Sequence, residues 1–393
     1  MKVLHVLTTI DPAGAGPVEA ARLYCSSSRG DYRAEVLTLD NDITAWRNSW
    51  PVPVHAIGHS RMYGRYSSAL TSWLQEHASR FDAVVVHGVW GYHLIGVWKA
   101  LRGGGVPYFL ICHGMLNPWF RRTYPLKHLK KAAAWSLLVR RAVAGAASIL
   151  YLCEEERRLA LSNFRIDCPR EAFAPLGTLV SSVGPGVFFE KHPLLRGKRI
   201  VLFLGRICYM KGCDILLDAF SGFASDNPGM QLVMCGPDHE GWQRDLVRKA
   251  AALGISDRVT WTGPLFGKSK WSALAAAELF ALPSRCETFP VSVIEALACG
   301  TPVLITRDIN IYPSVQSSSA GIVCDSNVES LRGALARWLA ADQTERAAFR
   351  QRALECHSRH FSLDVALERH SAAIRSYLDG VAPGNVYSER LSA

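Results

Sequence analysis

Short apolar runs, each about a strand long and each followed by a turn and a helix-length segment, recur along this chain and begin again near residue 199. Val3-Leu4-His5-Val6-Leu7 is the first, closed by Thr8-Thr9 and the turn-rich Asp11-Pro12-Ala13-Gly14-Ala15-Gly16-Pro17. Others lie at 34–39, 83–86, 108–112 and 148–152, and a second set at 199–205, 231–235, 258–262, 279–282 and 302–306. Strands that are apolar throughout must be covered on both faces, and the intervening helices supply that cover. The pattern predicts an α/β protein of two Rossmann-like domains facing each other across a cleft. The expected division is 1–183 for the N-terminal domain, 184–197 for a linker, 198–365 for the C-terminal domain, and 366–380 for a helix crossing back to the first. The linker is marked by Ser181-Ser182-Val183-Gly184-Pro185-Gly186, and the tail after Pro383 is expected to fray.

Composition narrows the partners. With 49% hydrophobic and 20% charged residues over 393 positions, two cores are feasible and global disorder is excluded. No run approaches the ~20 apolar residues of a transmembrane helix. The apolar start of the chain is too short for a leader and reads as a buried strand. The eleven cysteines are scattered, without a Cys-x-x-Cys pair, which argues against a zinc site or a disulfide framework and for a reducing cytosol. The net charge of +10 is uneven: residues 1–190 hold 21 basic and 14 acidic side chains, residues 191–393 hold 23 and 20. The first half therefore faces something anionic, be it nucleic acid, a phospholipid surface or a phosphorylated substrate.

Residues 121–141 concentrate that charge. Arg121, Arg122, Lys127, Lys130, Lys131, Arg140 and Arg141 occur there with no acidic residue, among Trp119, Phe120, Tyr124 and Trp135. Such a segment suits an anionic membrane surface, or the steering of a lipid diphosphate. An ordinary solvated helix face is the competing reading. No recognition motif accompanies the charge, so nucleic acid is not expected as a partner.

The most informative stretch is Leu282-Pro-Ser-Arg-Cys-Glu287-Thr-Phe-Pro-Val-Ser-Val-Ile-Glu295-Ala-Leu-Ala-Cys-Gly300-Thr-Pro302. A strand ends at Pro283, a polar loop carries Glu287, and Pro290 opens a helix that Gly300 stops. The first N–H groups of that helix, near Val291, point back at the loop and form an anion site. Two carboxylates over a phosphate-attracting helix end suit a ligand bearing both phosphate and hydroxyl groups. A capping role for Glu287 and a solvated Glu295 is the simpler alternative.

Glu287 and Glu295, with seven residues between them and Ala-Leu-Ala-Cys-Gly-Thr-Pro-Val following, resemble the Glu-x7-Glu motif of glycosyltransferase family 4. Leu204-Gly205-Arg206-Ile207 with Lys211-Gly212 is similar to the diphosphate-binding segment of that family. Ala277-Glu-Leu-Phe-Ala-Leu-Pro-Ser284 matches the strand leading to the first Glu. Cys112-His113-Gly114-Met115-Leu116-Asn117-Pro118-Trp119 looks like the His-Gly-Met-Leu-x-Pro-Trp segment of a bacterial polysaccharide-type subgroup. The resemblance implies a GT-B fold, with an acceptor domain first and a nucleotide-sugar donor domain second. It also implies a retaining transferase that needs no metal or other cofactor. Its partners would be a nucleotide-sugar donor and a glycan or lipid-linked acceptor, in polysaccharide or lipopolysaccharide assembly at the cytoplasmic face of the membrane.

Carried over position by position, Arg206 and Lys211 become fixed cations for the leaving diphosphate, stabilising charge that develops as the sugar bond breaks. The resemblance assigns donor-sugar hydroxyls to Glu287 and ribose hydroxyls to Glu295, both acceptors when ionised. It sets Gly205, Phe289, Pro290 and Val291 beside the sugar and phosphates. Gly236 and Leu265, on turns after strands, are weaker candidates for base contacts. His113, at a strand end on the presumed cleft, is a candidate hydrogen-bond partner of the sugar or a phosphate. His87 reads as structural.

Gly14 and Gly16 follow a strand and open a helix, with Asp40 at the end of the second strand, which resembles half of a dinucleotide fingerprint. Glu19 occupies the third glycine position and would repel a pyrophosphate. The family commonly has Gly-Gly here, and Ala15 is an insertion. An NAD-dependent oxidoreductase and a nucleotide-sugar epimerase therefore stand as alternatives to the transferase.

Overall fold

The computed structural model describes residues 1–14, 16–26, 32–59, 65–239 and 241–381. Ala15 and the tail after Pro383 lie outside them. The chain divides into two compact units, one of residues 1–176 with the segment from Ala366 onward, the other of residues 177–365.

In the first unit the strands are β1 (Lys2–Leu7), β2 (Arg33–Thr38), β3 (Val54–Ala56), β4 (Ala83–His87), β5 (Tyr108–Ile111), β6 (Ser148–Tyr151) and β7 (Glu171–Phe173). They form one parallel sheet in the order β3-β2-β1-β4-β5-β6-β7. In the second unit β8 (Arg199–Leu204), β9 (Met230–Cys235), β10 (Val259–Gly263), β11 (Leu279–Leu282), β12 (Val303–Thr306) and β13 (Gly321–Cys324) pair in the order β10-β9-β8-β11-β12-β13. β4, β9, β11 and β12 are buried along their whole length, as strands covered by helices on both faces must be. The apolar start of the chain is β1, at the centre of its sheet.

Strand order reverses once in each sheet, beside β1 in the first and beside β8 in the second. Loops leaving the two flanking strands at their C-terminal ends diverge there, which is where ligands bind in open parallel sheets. His5, Gly14 and Gly16 belong to the β1 side of the first reversal, and His87 to the β4 side. Gly205, Arg206 and Lys211 follow β8, and Glu287 follows β11.

Two glycines make the second reversal possible. Gly212 has φ +70°, and a Cβ on it would stand 2.0 Å from the carbonyl oxygen of Pro283. Gly236 has φ +150°, and a Cβ there would stand 1.8 Å from the carbonyl oxygen of Gly205. No other residue type fits either approach.

Residues 184–197, read above as a linker, belong to the second unit. They form a helix, Gly186–Lys191, whose Phe188 is buried. The Ser272 hydroxyl accepts from the Phe188 N–H at 2.9 Å and donates to the Gly184 carbonyl at 2.8 Å. The apolar Val-Phe-Phe turn within this polar stretch is what docks. The last helix, Leu363–Leu378, begins in the second unit and continues as part of the first from Ala366. There Tyr377 meets Phe109 edge-on at 5.5 Å, and the Arg170 guanidinium lies 5.1 Å from the Tyr377 ring centre.

Candidate active site

The loop after β8 and the loop after β11 meet side chain to side chain in the second unit. The Lys211 ammonium is ion-paired with the Glu287 carboxylate, and both side chains are largely buried. Gly212 sets the approach from one side. From the other, Glu287 is held by its own backbone: its N–H donates to the Asp308 carbonyl at 3.0 Å, and its carbonyl accepts from Asn310 N–H at 2.9 Å. Arg285, which the sequence reading passed over, clasps the Lys211 loop. Its guanidinium makes two bonds to Asp214, at 2.8 and 2.7 Å, donates to the Tyr209 carbonyl at 2.7 Å, and lies 4.0 Å from the Tyr209 ring centre. A bidentate pair of this kind fixes geometry as well as charge.

Eight residues on, Glu295 is buried in the helix Val291–Ala298 and ion-paired with Lys270. It is not the solvated residue of the simpler reading. Lys270 comes from the helix Gly267–Ala276, and only the fold brings it to Glu295. Pro290 precedes the first helical residue, Val291, and Gly300 lies just beyond the end with φ +65°. Phe289 is buried, meeting Phe361 edge-on at 5.8 Å, so its ring serves the packing of this unit. Arg206 is exposed and makes no ion pair among the described residues. Gly236 lies against Gly205, and Leu265 is half-buried in the loop after β10.

In the first unit His113 follows β5 in a left-handed conformation, φ +51°, and Gly114 continues at φ +70°. A non-glycine residue held there is strained and persists only when its surroundings enforce it. Here Glu156, buried in the helix Glu154–Asn163, takes the Gly114 N–H at 2.5 Å and the Leu152 N–H at 2.7 Å. His113 Nε2 is 2.9 Å from His87 Nδ1, and His87 Nε2 is 2.9 Å from His5 Nδ1. Burial holds His5 and His113 neutral, down to about 3, and His93 down to about 4. His87 and His370 are likewise pushed well below the usual range, first by burial and then by neighbouring histidines. Burial raises Glu156 to about 7, against the pull of its two backbone hydrogen bonds.

The glycine loop has a different local logic. Gly14 closes a short turn by donating to the Asp11 carbonyl at 2.8 Å, and Gly16 begins the helix Gly16–Cys25. Asp40 faces inward: one carboxylate oxygen accepts from Ile10 N–H at 2.7 Å and from the Thr38 hydroxyl at 2.8 Å. The other is paired with Arg65 at 3.1 Å. A carboxylate so occupied is braced against the loop rather than offered to a ribose, which removes the main support for the dinucleotide alternative.

Residues 121–141 run through the helices Trp119–Thr123 and Pro125–Ala134 into a wider turn, Trp135–Val139. Trp135 is a core residue packed on Phe164 at 4.6 Å. The Lys131 ammonium lies 4.9 Å from the Phe120 ring centre and 5.0 Å from that of Trp90. Leu126, Leu129 and Leu137 are instead 79%, 68% and 68% exposed. No helix among the described residues is long and apolar enough to cross a membrane.

Residues 187–355 match the glycosyl transferases group 1 family, and residues 14–177 match the glycosyl transferase 4-like domain. A D-inositol 3-phosphate glycosyltransferase of Rhodococcus erythropolis is 32% identical over 259 residues, 61% of this chain and 59% of that protein. Another, from Salinispora arenicola, is 25% identical over 84% of this chain and 78% of its own length. The chain thus spans about three fifths of the first relative. Among solved structures, HepE of Anabaena in complex with UDP and glucose has a TM-score of 0.78 at 18% identity, covering 96% of this chain and all of that one. WaaG, a glycosyltransferase involved in lipopolysaccharide biosynthesis, has a TM-score of 0.67 at 18% identity, with 95% and 99% covered. At these identities the likeness is one of fold, the two-domain α/β fold of GT-B glycosyltransferases.

The buried histidines predict how stability responds to pH. Neutral in the fold, they bind protons on unfolding, so their contribution is complete above pH 6.5 and declines as pH falls. Glu156 acts oppositely, its contribution being lost as pH rises from 4.5 to about 7. Five histidines outweigh one carboxylate. The urea midpoint should be lower at about pH 5.5 than at about pH 7.5; a higher midpoint at the acidic pH would contradict the assignment.

Proposed function

We propose that this chain, which belongs to the glycosyl transferases group 1 family, moves a sugar from a nucleoside-diphosphate sugar to an acceptor hydroxyl with retention at the anomeric carbon. The observation that carries this reading is the convergence of Lys211 and Glu287 at the strand-order reversal of the second sheet, beside the start of the helix Val291–Ala298. A cation there meets the diphosphate, and a carboxylate accepts from sugar hydroxyls. Without donor the two neutralise each other; with donor bound, each gains the partner it suits.

On this reading Arg206 and Lys211 stabilise the leaving diphosphate, joined by the helix N–H groups near Val291. Glu295, oriented by Lys270, takes the ribose hydroxyls. Gly205 and Gly236 leave room for the nucleotide, Leu265 borders the base, and Pro290 starts the helix that faces the phosphates. Phe289 acts through packing, holding the Glu287 loop. Gly14 and Gly16 let the first loop approach a phosphate, and His113 hydrogen-bonds the sugar or its phosphate. The anomeric C–O bond to the diphosphate breaks as the bond to the acceptor oxygen forms on the same face. The acceptor proton passes to the departing phosphate oxygen. Protein cations take the place of a metal, so turnover should persist in EDTA.

The UDP bound by the Anabaena neighbour supports a nucleotide-sugar donor. The basic first half supports an anionic acceptor, such as a phosphorylated polyol or a lipid-linked glycan in cell-surface polysaccharide or lipopolysaccharide assembly. Exposed Leu126, Leu129 and Leu137 among lysines support peripheral attachment to an anionic leaflet at the cytoplasmic face.

Lys211→Ala and Glu287→Ala should each lower kcat, referred to folded protein, about 10²–10³-fold or more, with some loss of melting temperature because the remaining charge is left buried and unpaired. Near wild-type transfer by both variants would place the chemistry elsewhere. Release of an altered sugar without acceptor would mean an epimerase. Leu126→Ser with Leu129→Ser and Lys130→Glu should reduce co-sedimentation with phosphatidylserine-containing vesicles while sparing transfer to a soluble acceptor. Unchanged sedimentation removes the membrane claim.

A further inference from the structure

His113 ends a continuous buried hydrogen-bond chain. His87 Nδ1 is 2.9 Å from His113 Nε2, and His5 Nδ1 is 2.9 Å from His87 Nε2. The Tyr32 hydroxyl is 2.7 Å from His5 Nε2 and 3.2 Å from His370 Nε2. His5, Tyr32, His87 and His370 are all buried. His370 lies on the last helix, stacked on Tyr24 at 4.2 Å. Four imidazoles and a phenol from five separated segments are thus linked end to end within the first unit.

Such a chain has few self-consistent proton arrangements. Every imidazole in it is neutral, so each carries one N–H. His5 and His87 use both ring nitrogens in the chain, and each must donate once and accept once. Between two imidazoles a break in direction would set two N–H groups, or two lone pairs, against each other in a dry interior, and a Tyr32 hydroxyl accepting from both sides would leave its own O–H without an acceptor among the described residues. All the bonds therefore point one way, and His370 decides which. Its Nδ1 is buried without a partner. If His370 accepted at Nε2, its proton would sit on Nδ1 as an orphaned buried N–H. If it donates from Nε2, Nδ1 is only an unused acceptor, the less costly defect.

We infer that the chain runs from His370 Nε2–H to Tyr32, from Tyr32 O–H to His5 Nε2, from His5 Nδ1–H to His87 Nε2, and from His87 Nδ1–H to His113 Nε2. It thereby locks His113 as the Nδ1–H tautomer. His113 Nδ1 is left without a partner among the described residues, and it is not one of the buried orphans. That nitrogen is then a fixed hydrogen-bond donor and not a base. His5, Tyr32, His87 and His370 are positioning residues, and the returning C-terminal helix sets the protonation of a group it does not touch. Given the transferase reading, the ligand atom facing Nδ1 is an acceptor, a sugar oxygen or a phosphate oxygen. The tautomer itself does not rest on that reading.

The test is ring-nitrogen NMR on the full-length protein labelled with 15N-histidine, with His113 assigned by its absence in His113→Asn. The proton should be on Nδ1 in the wild type. Tyr32→Phe cuts the chain while keeping the ring, and should give a mixed or inverted His113 tautomer. It should also lower kcat, referred to folded protein, about tenfold with KM for donor nearly unchanged, whereas Tyr24→Phe, referred to folded protein, should keep wild-type kcat. Tyr24→Phe is the control. It loses the bond to the Ala174 carbonyl, 2.5 Å, and should destabilise the unit without moving the tautomer. A wild-type proton on Nε2, or a Tyr32→Phe spectrum identical to wild type, overturns the inference. If the tautomer behaves as stated but no sugar is transferred, only the transferase reading fails.

Discussion

The backbone of Gly212 rests against the carbonyl of Pro283 at a separation that no Cβ would permit. The meeting of the two loops of the second unit depends on that approach. It brings the loop after β8 onto the loop after β11, and so delivers Lys211 to Glu287. Arg285 reinforces the contact by bridging Asp214 and the Tyr209 carbonyl. A charged pair this far out of water is costly unless its geometry is good and its other bonds are made. The backbone bonds of Glu287 to Asp308 and Asn310 are part of what makes it tolerable. On the transferase reading such a site would be preorganised, its loop positions fixed by packing, and donor binding would need only an exchange of ionic partners.

The first unit solves a different problem, that of holding a polar side chain in a defined state at the edge of an apolar sheet. Glu156 holds the left-handed turn at His113-Gly114 by taking the Gly114 N–H with one carboxylate oxygen while the other takes the Leu152 N–H. The histidines behind it satisfy one another. Each would be a liability alone, since a buried imidazole without a partner loses its hydration and gains nothing. Joined, they form a polar filament through the core whose direction is set at its far end. The unit therefore couples its last helix to His113 by hydrogen bonds rather than by a moving part.

The long buried strands were legible in the sequence because burial on both faces leaves an uninterrupted apolar run. β11 matches its predicted bounds of 279–282, and β1, β9 and β12 fall within a residue of theirs. The edge strands β3, β7 and β13 were not. Val54–Ala56 and Glu171–Phe173 are three residues long and half-exposed, too short and too mixed to carry a period. Glu287, Glu295, Arg206 and Lys211 stood out by spacing and by the resemblance it supports. Lys270, Arg285 and Glu156 did not, because each acts on a residue brought near only by folding. His87 was read as structural. Its bonds to His5 and His113 give it a further part that no local pattern encodes, since its partners lie 82 and 26 residues away.

On the transferase reading the loops after β8 and β11 hold a nucleoside diphosphate. Thermal unfolding of the purified chain with UDP, GDP, ADP or NAD, each with and without EDTA, tests it most directly. At about 100 times its dissociation constant a ligand stabilises by about 2.7 kcal/mol, which is readily measured. The expected result is a rise with one nucleoside diphosphate, unaffected by EDTA and absent in Lys211→Ala. A rise with NAD alone, retained in Lys211→Ala, would contradict it.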